Sequence, residues 1–190
     1  MAGKTNHTKD DIVTLTIRLI SQHGYQQISL RRLLGDLHLT TGSFYKHFKN
    51  KDDLFKTVTE VISTTLGRQA QQQIAKLHLT PFDSLVSLGA FLVNQFATQP
   101  YLMDFLFFNP TAINLYQAVE TGHHFILLDY TRQLIEEIVS QFGLSESSDT
   151  LFIKVWSFIQ GYGILVRNHA IVYDDALLKS AAKELIGVEK

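Results

Sequence analysis

No cysteine occurs among the 190 residues, which excludes a disulfide framework, a thiolate metal site and a cysteine nucleophile. Long apolar runs are also missing: no uninterrupted stretch approaches the roughly 20 residues needed to span a bilayer. Residues 1–7 (MAGKTNH) lack the apolar core of a secretory signal, so a cytoplasmic protein is expected. No segment alternates with period two between turn signals, so strands are not supported. Enzyme signatures are absent too. Gly161-Tyr162-Gly163 lacks the third glycine of a dinucleotide loop, and no phosphate loop or nucleophile elbow is present. His123 and His124, with Asp129 or Glu120, do not make a metal set, because adjacent helical side chains diverge by about 100°. Glu136 and Glu137 are neighbours on a helix and do not face each other. No catalytic residues, cofactor or metal are therefore expected.

Prolines are few, three in all, and they repeat one context. Thr80-Pro81, Gln99-Pro100 and Asn109-Pro110 each precede an apolar-periodic stretch, and Pro suits a first helical position. This predicts helix starts near 81, 100 and 110. Further helices are predicted over 51–75, 123–142, 149–168 and 174–186, the first capped by Asn50 with Asp53 and the second closed by Gly143. An earlier helix is expected to start at Thr8 and stop at Gly24. The fold class is thus all-α. A hydrophobic content of 45% suffices for a core.

The net charge of -1 conceals an asymmetry. Residues 1–60 carry nine Lys/Arg against six acids, and the rest of the chain eight against twelve. The basic end coincides with the stretch Leu37-His38-Leu39-Thr40-Thr41-Gly42-Ser43-Phe44-Tyr45-Lys46-His47-Phe48. Thr40 is a natural helix N-cap. Phe44 and Phe48, four apart, anchor one face of a short helix and leave Thr41, Ser43, Tyr45, Lys46 and His47 on the others. Upstream, Ser29 can cap a segment in which Leu30, Leu33, Leu34 and Leu37 recur at helical spacing. Two short helices joined by about four residues form a helix-turn-helix, whose second helix reads DNA.

The run from Ser29 to Leu54 resembles the DNA-binding signature of the TetR (tetracycline repressor) family. The matching parts are Ser29, Leu33-Leu34, Leu39-Thr40-x-Gly42, Phe44-Tyr45-Lys46-His47-Phe48 and Lys51 ahead of Leu54-Phe55. One departure is His38, where family members usually carry Gly in the turn; His tolerates a left-handed backbone less well. The resemblance implies a three-helix DNA-binding head over residues 1–50, a long connecting helix near 51–75 and a helical ligand-binding and dimerisation body over 76–190. It implies a homodimer acting on palindromic double-stranded operator DNA, most simply a repressor released by a small-molecule effector. Thr40, Thr41, Gly42, Ser43 and Tyr45 are expected near bases or their flanking phosphates. Lys46, His47, Lys51 and Ser29 are expected on the backbone.

The body holds two kinds of apolar material. Phe91, Phe96, Tyr101, Phe105, Phe108 and Tyr116 belong to a central aromatic group, readable as ordinary core or as the wall of a pocket for an apolar or aromatic effector; the resemblance favours the pocket for the group as a whole. The last two long helices are apolar on more than one face, which calls for cover on more than one face. A second copy of the chain is the expected cover, with Leu127, Leu134, Ile138, Trp156, Ile159 and Gly163 at the interface. The competing reading is a helical small-molecule-binding protein, or an enzyme, with a degenerate DNA-binding head.

Overall fold

The computed structural model describes residues 3–111 and 125–187, with side chains from His7 onward. Among the described residues there are nine α-helices and no strand. They are α1 (Gly3–His23), α2 (Leu30–Asp36), α3 (Thr41–Tyr45), α4 (Lys51–Ala75), α5 (Pro81–Thr98), α6 (Pro100–Phe108), α7 (Ile126–Phe142), α8 (Ser148–Arg167) and α9 (Asp175–Ile186). A 3-10 turn, Tyr25–Gln27, separates α1 from α2.

Local chemistry explains most of these boundaries. Gly24 stands at φ 80 directly after α1, a conformation that costs glycine little. The helix itself begins at Gly3 rather than at Thr8, so Thr8 lies inside it and is not its cap. At the start of α4 the Asp53 N–H donates to Asn50 Oδ1 at 2.8 Å, and Asp53 Oδ2 accepts from the Lys49 N–H at 2.9 Å. Thr80 Oγ1 accepts from the Asp83 N–H at 3.1 Å, one residue ahead of Pro81 at the start of α5. Pro100 likewise opens α6, although Gln99 ahead of it makes no side-chain capping bond. Pro110 and Thr111 are helical, and whatever follows that start lies outside the described residues. Gly143 at φ 60 ends α7, with the Leu144 N–H reaching back to the Val139 carbonyl.

The described chain gathers into two compact units. One contains the chain up to Ser63 and the described stretch from Gln99 onward; the other contains Thr64–Thr98 and the chain from Phe125 onward. In the first unit α1 packs on α2 and on α6. Its core joins Ile12, Leu15, Leu19 and Ile20 of α1 to Leu33, Leu34, Phe44, Phe48, Leu54, Phe55 and Val58. Met103, Phe105 and Leu106 of α6 are fully enclosed in that unit, and Phe107 nearly so. Phe105, Leu106 and Phe107 are consecutive and cannot share one helix face, so this short helix is covered on several sides.

In the second unit α5 is the central helix, packed against α7, α8 and α9. Ten of its residues are buried, among them Leu85, Leu88, Leu92, Val93 and Phe96. Two glycines permit close approach. A Cβ on Gly67 would lie 2.7 Å from the Leu127 amide nitrogen, and one on Gly163 would overlap the ring of Phe96. Both sites therefore require a side chain of hydrogen.

Candidate nucleic-acid interface and helical body

The turn between α2 and α3 is built around His38. Its backbone lies at φ 53, in the left-handed region where glycine is favoured. The His38 N–H donates to the Gly35 carbonyl at 3.1 Å, and the Leu39 N–H to the Leu34 carbonyl at 2.9 Å. These two bonds form a Schellman closure, with His38 in the position usually held by glycine. The turn therefore keeps its geometry despite the substitution. Thr40 follows in extended conformation, and its Oγ1 accepts from the Ser43 N–H at 3.2 Å and lies 3.0 Å from Ser43 Oγ. The expected N-cap is thus formed. Ser29 occupies the N-cap position of α2, but its side chain makes no capping hydrogen bond.

Helix α3 is held from below by its aromatic residues. Phe44 is fully buried and Phe48 nearly so, with ring centroids 5.4 Å apart. The Lys9 ammonium lies 5.7 Å from the Phe48 centroid, ordinary cation–π range. The opposite side is open. Thr40, Thr41, Gly42, Tyr45 and Lys46 are exposed, with Tyr45 57% accessible; Ser43 and His47 are half-buried. Gly42 has helical backbone and nothing nearer its missing Cβ than Thr40 Oγ1 at 3.8 Å. The protein's own packing does not require glycine there, so the position admits close approach from outside. Arg31 and Arg32, both exposed on α2, also lie beside the motif. They were not among the expected contacts; their adjacency to Ser29 at a helix start was the signal available.

Lys51 is placed differently from a free surface cation. Its Nζ donates to the Ile28 carbonyl at 2.7 Å and lies 5.0 Å from the Phe55 ring centroid. The Phe55 ring meets Phe105 of α6 edge-on at 5.1 Å, and Phe105 meets Tyr25 at 5.9 Å.

The aromatics proposed as a pocket wall are distributed over both units. Phe91 and Phe96 belong to the second, Tyr101, Phe105 and Phe108 to the first; Tyr116 lies outside the described residues. Phe96 is enclosed against Gly163, and Phe105 is enclosed between Tyr25 and Phe55. Both act as core. Phe91 and Phe108 are half-buried, and Tyr101 is 43% exposed with its ring against Gly24. The second unit also contains an apolar cleft of about 30 Å³ between α5, α8 and α9, lined by Leu85, Gly89, Leu92, Trp156, Ile159 and Leu178 among others. That volume suits little more than a water molecule, so the cleft is a packing gap.

Five of the six expected interface residues lie inside the unit. Leu127, Leu134, Ile138 and Ile159 are each under 5% exposed, and Gly163 is covered by Phe96. A helix apolar on several faces is here covered largely within its own unit, which leaves these five little surface for a second copy. Trp156 is half-buried and stacks on Phe152 at 5.6 Å. The exposed side of α8 instead carries Ile153 (63% accessible), Ser157, Gly161 and Leu165 (46%). These are spaced four apart along one ridge, a signal that the sequence did contain.

The fold and site define an all-helical protein with a helix-turn-helix near its N-terminus. The model of the bacterial regulatory proteins of the tetR family matches residues 12–58. The regulator AcrR of Shigella flexneri is 33% identical over 98 residues, which cover 50% of this chain and 44% of that protein. The aligned stretch thus spans less than half the length of that curated relative. Among solved structures, FadR from Bacillus subtilis in complex with stearoyl-CoA is similar over 95% of this chain and 98% of its own, at TM-score 0.68 and 18% identity. A TetR-family transcriptional regulator from Haemophilus influenzae covers 97% of both chains, at TM-score 0.63 and 16% identity. The family match thus covers residues 12–58, and the solved structures share the fold of the chain.

Proposed function

We propose that this protein is a ligand-responsive transcriptional regulator, a homodimeric repressor that leaves a palindromic operator when a small molecule binds. The observation that carries this reading is the exposed polar side of α3, standing on the buried Phe44–Phe48 anchor within a TetR-type helix-turn-helix. Thr40, Thr41, Gly42, Ser43 and Tyr45 face bases or their flanking phosphates. Lys46, His47 and Lys51, with the hydroxyl of Ser29, take backbone contacts. The two heads of a dimer engage two half-sites, which explains why the operator would be palindromic. The Ile153–Leu165 ridge replaces the buried residues as the proposed pairing surface.

The effector favours a state whose readers no longer match successive major grooves, so affinity for the operator falls by as much as the effector discriminates between the two states. Phe96 and Phe105 are committed to packing. Phe91, Tyr101 and Phe108 have partly accessible rings and stay as candidates for touching the effector. An apolar effector agrees with this aromatic content, and one relative of the same fold was solved with stearoyl-CoA. We read the protein as cytoplasmic and without catalytic activity of its own. No described helix is long and apolar enough to cross a membrane.

The test is selection of bound sequences from a random DNA pool, using folded protein free of ligand. Recovery of a palindrome supports the reading and gives the operator. Failure to enrich any sequence moves the assignment to a small-molecule-binding protein with a degenerate head.

A further inference from the structure

We propose that Tyr101 and Phe105 of α6 are positioning residues for DNA reading. Their rings grip the α1–α2 turn at Gly24 and Tyr25, and so fix where α2 and the reader begin. This rests on the DNA-binding reading and concerns how the reader is held, not what it touches.

Tyr101 and Phe105 are one helical turn apart in α6, so they share a face. That face meets two consecutive residues of the turn. Carbons Cδ1 and Cε1 of Tyr101 stand 3.4 and 3.7 Å from the point where a Cβ on Gly24 would lie. The ring of Phe105 meets Tyr25 edge-on at 5.9 Å, and it meets Phe55 of α4 at 5.1 Å. Phe105 is fully enclosed, whereas 43% of Tyr101 stays accessible, which leaves an open side for an effector.

The turn is weakly fastened by its own residues. Tyr25–Gln27 contains no buried residue, although Ile28 is buried at the far end. Its internal bonds run from the Gln27 N–H to the Gly24 carbonyl at 3.3 Å and from the Ile28 N–H to the Tyr25 carbonyl at 3.2 Å, both longer than the usual amide bond. Ser29 caps α2 by position alone, with no side-chain bond. Gly24 stands at φ 80, ψ 157, a region open to glycine and to almost nothing else. Local side chains therefore do not set the angle at which the chain leaves α1, and the two rings of α6 supply that restraint. From Ser29 the chain runs through the buried Leu33 and Leu34 to the turn at His38 and then the reader. A close-packed interior transmits displacement, so a shift at Gly24 reaches α3.

The test compares the full chain as wild type, Tyr101→Ala and Tyr101→Phe. Each is titrated over a salt series with the selected operator and with a random duplex of equal length. Tyr101→Ala is expected to lower the operator-over-random preference about ten-fold, the scale of one mismatched base pair. The salt slope stays unchanged, because no cation is lost. Tyr101→Phe keeps the ring and is expected to restore the preference. A Tyr101→Ala protein that binds both DNAs as wild type does, with only a lower melting temperature, overturns the proposal. So does equal weakening on both DNAs, and so does a Tyr101→Phe protein that behaves like Tyr101→Ala. Amide exchange of the DNA-free proteins gives a second reading: Gln27 and Ile28 are expected to exchange faster in Tyr101→Ala than in the other two, and unchanged protection overturns the grip. If Tyr101→Ala does not fold, Tyr101→Leu takes its place. If wild type prefers no DNA sequence, the regulator reading fails, and the exchange measurement alone decides the grip.

Discussion

The ring of Phe96 lies directly against the bare backbone of Gly163, where an added Cβ would stand within 2.8 Å of Phe96 Cγ and Cε2. Phe96 is fully enclosed, so its ring has nowhere to retreat. Gly163→Ala is therefore expected to destabilise the protein by about 2 kcal/mol, the usual scale of overpacking. Urea unfolding followed by circular dichroism measures this. Phe96→Leu should recover part of the loss in the double variant, and purely additive effects would show that the two positions do not share the clash.

Gly161, two residues away, behaves oppositely, because nothing lies within 4 Å of its missing Cβ. Gly161→Ala is expected to leave the fold intact or to stabilise it by up to about 1 kcal/mol through helix propensity. Its ridge with Ile153, Ser157 and Leu165 is the proposed pairing surface, so a charge there should act on assembly alone. Leu165→Glu with Gly161→Arg is expected to yield a folded monomer by light scattering and circular dichroism. A folded protein that remains dimeric would remove this ridge from the interface. Leu134→Glu, placed in the core, is expected to unfold the chain instead.

At His38 the backbone takes a left-handed conformation at φ 53 inside an intact Schellman closure. A non-glycine residue there bears about 1 kcal/mol of strain. His38→Gly relieves it but also loosens the unfolded chain, so a net gain of up to about 1 kcal/mol is expected in urea unfolding. A net loss would mean that the imidazole contributes an interaction outweighing the backbone cost.

Helix positions were legible because their signals are local. Pro81, Pro100, Asn50 and Gly143 act within one turn of themselves, and each stands at the boundary it predicted. Helix α3 was legible for the same reason: the cap at Thr40 and the four-residue spacing of Phe44 and Phe48 need only neighbouring residues. Long-range partners were not. Sequence shows that α7 and α8 are apolar on several faces but not what covers them, and α5 packs on both. Nor does chain order reveal that Phe105 packs with Tyr25 and Phe55. The bond from Lys51 to the Ile28 carbonyl was hidden as well, because its acceptor is a backbone atom without a residue-type signature.

Asp83 and Lys179 give the second unit a pH-dependent fastening between α5 and α9. Lys179 Nζ donates to Asp83 Oδ1 at 2.8 Å, and Thr80 Oγ1 donates to Oδ2 at 2.9 Å. The Lys179 bond, then the Thr80 bond, hold the Asp83 carboxyl below its ordinary value of 3.8. A carboxyl lowered by folding stabilises the native state fully above that ordinary value, and the contribution disappears as pH falls through the lower native one. Both side chains are more than a third exposed, so screening keeps the effect small. Melting temperatures between pH 7 and pH 2 are expected to fall less steeply in Lys179→Met than in wild type, the two curves converging at the acid end. Parallel curves over the whole range would show that the pair makes no difference to stability between folded and unfolded states.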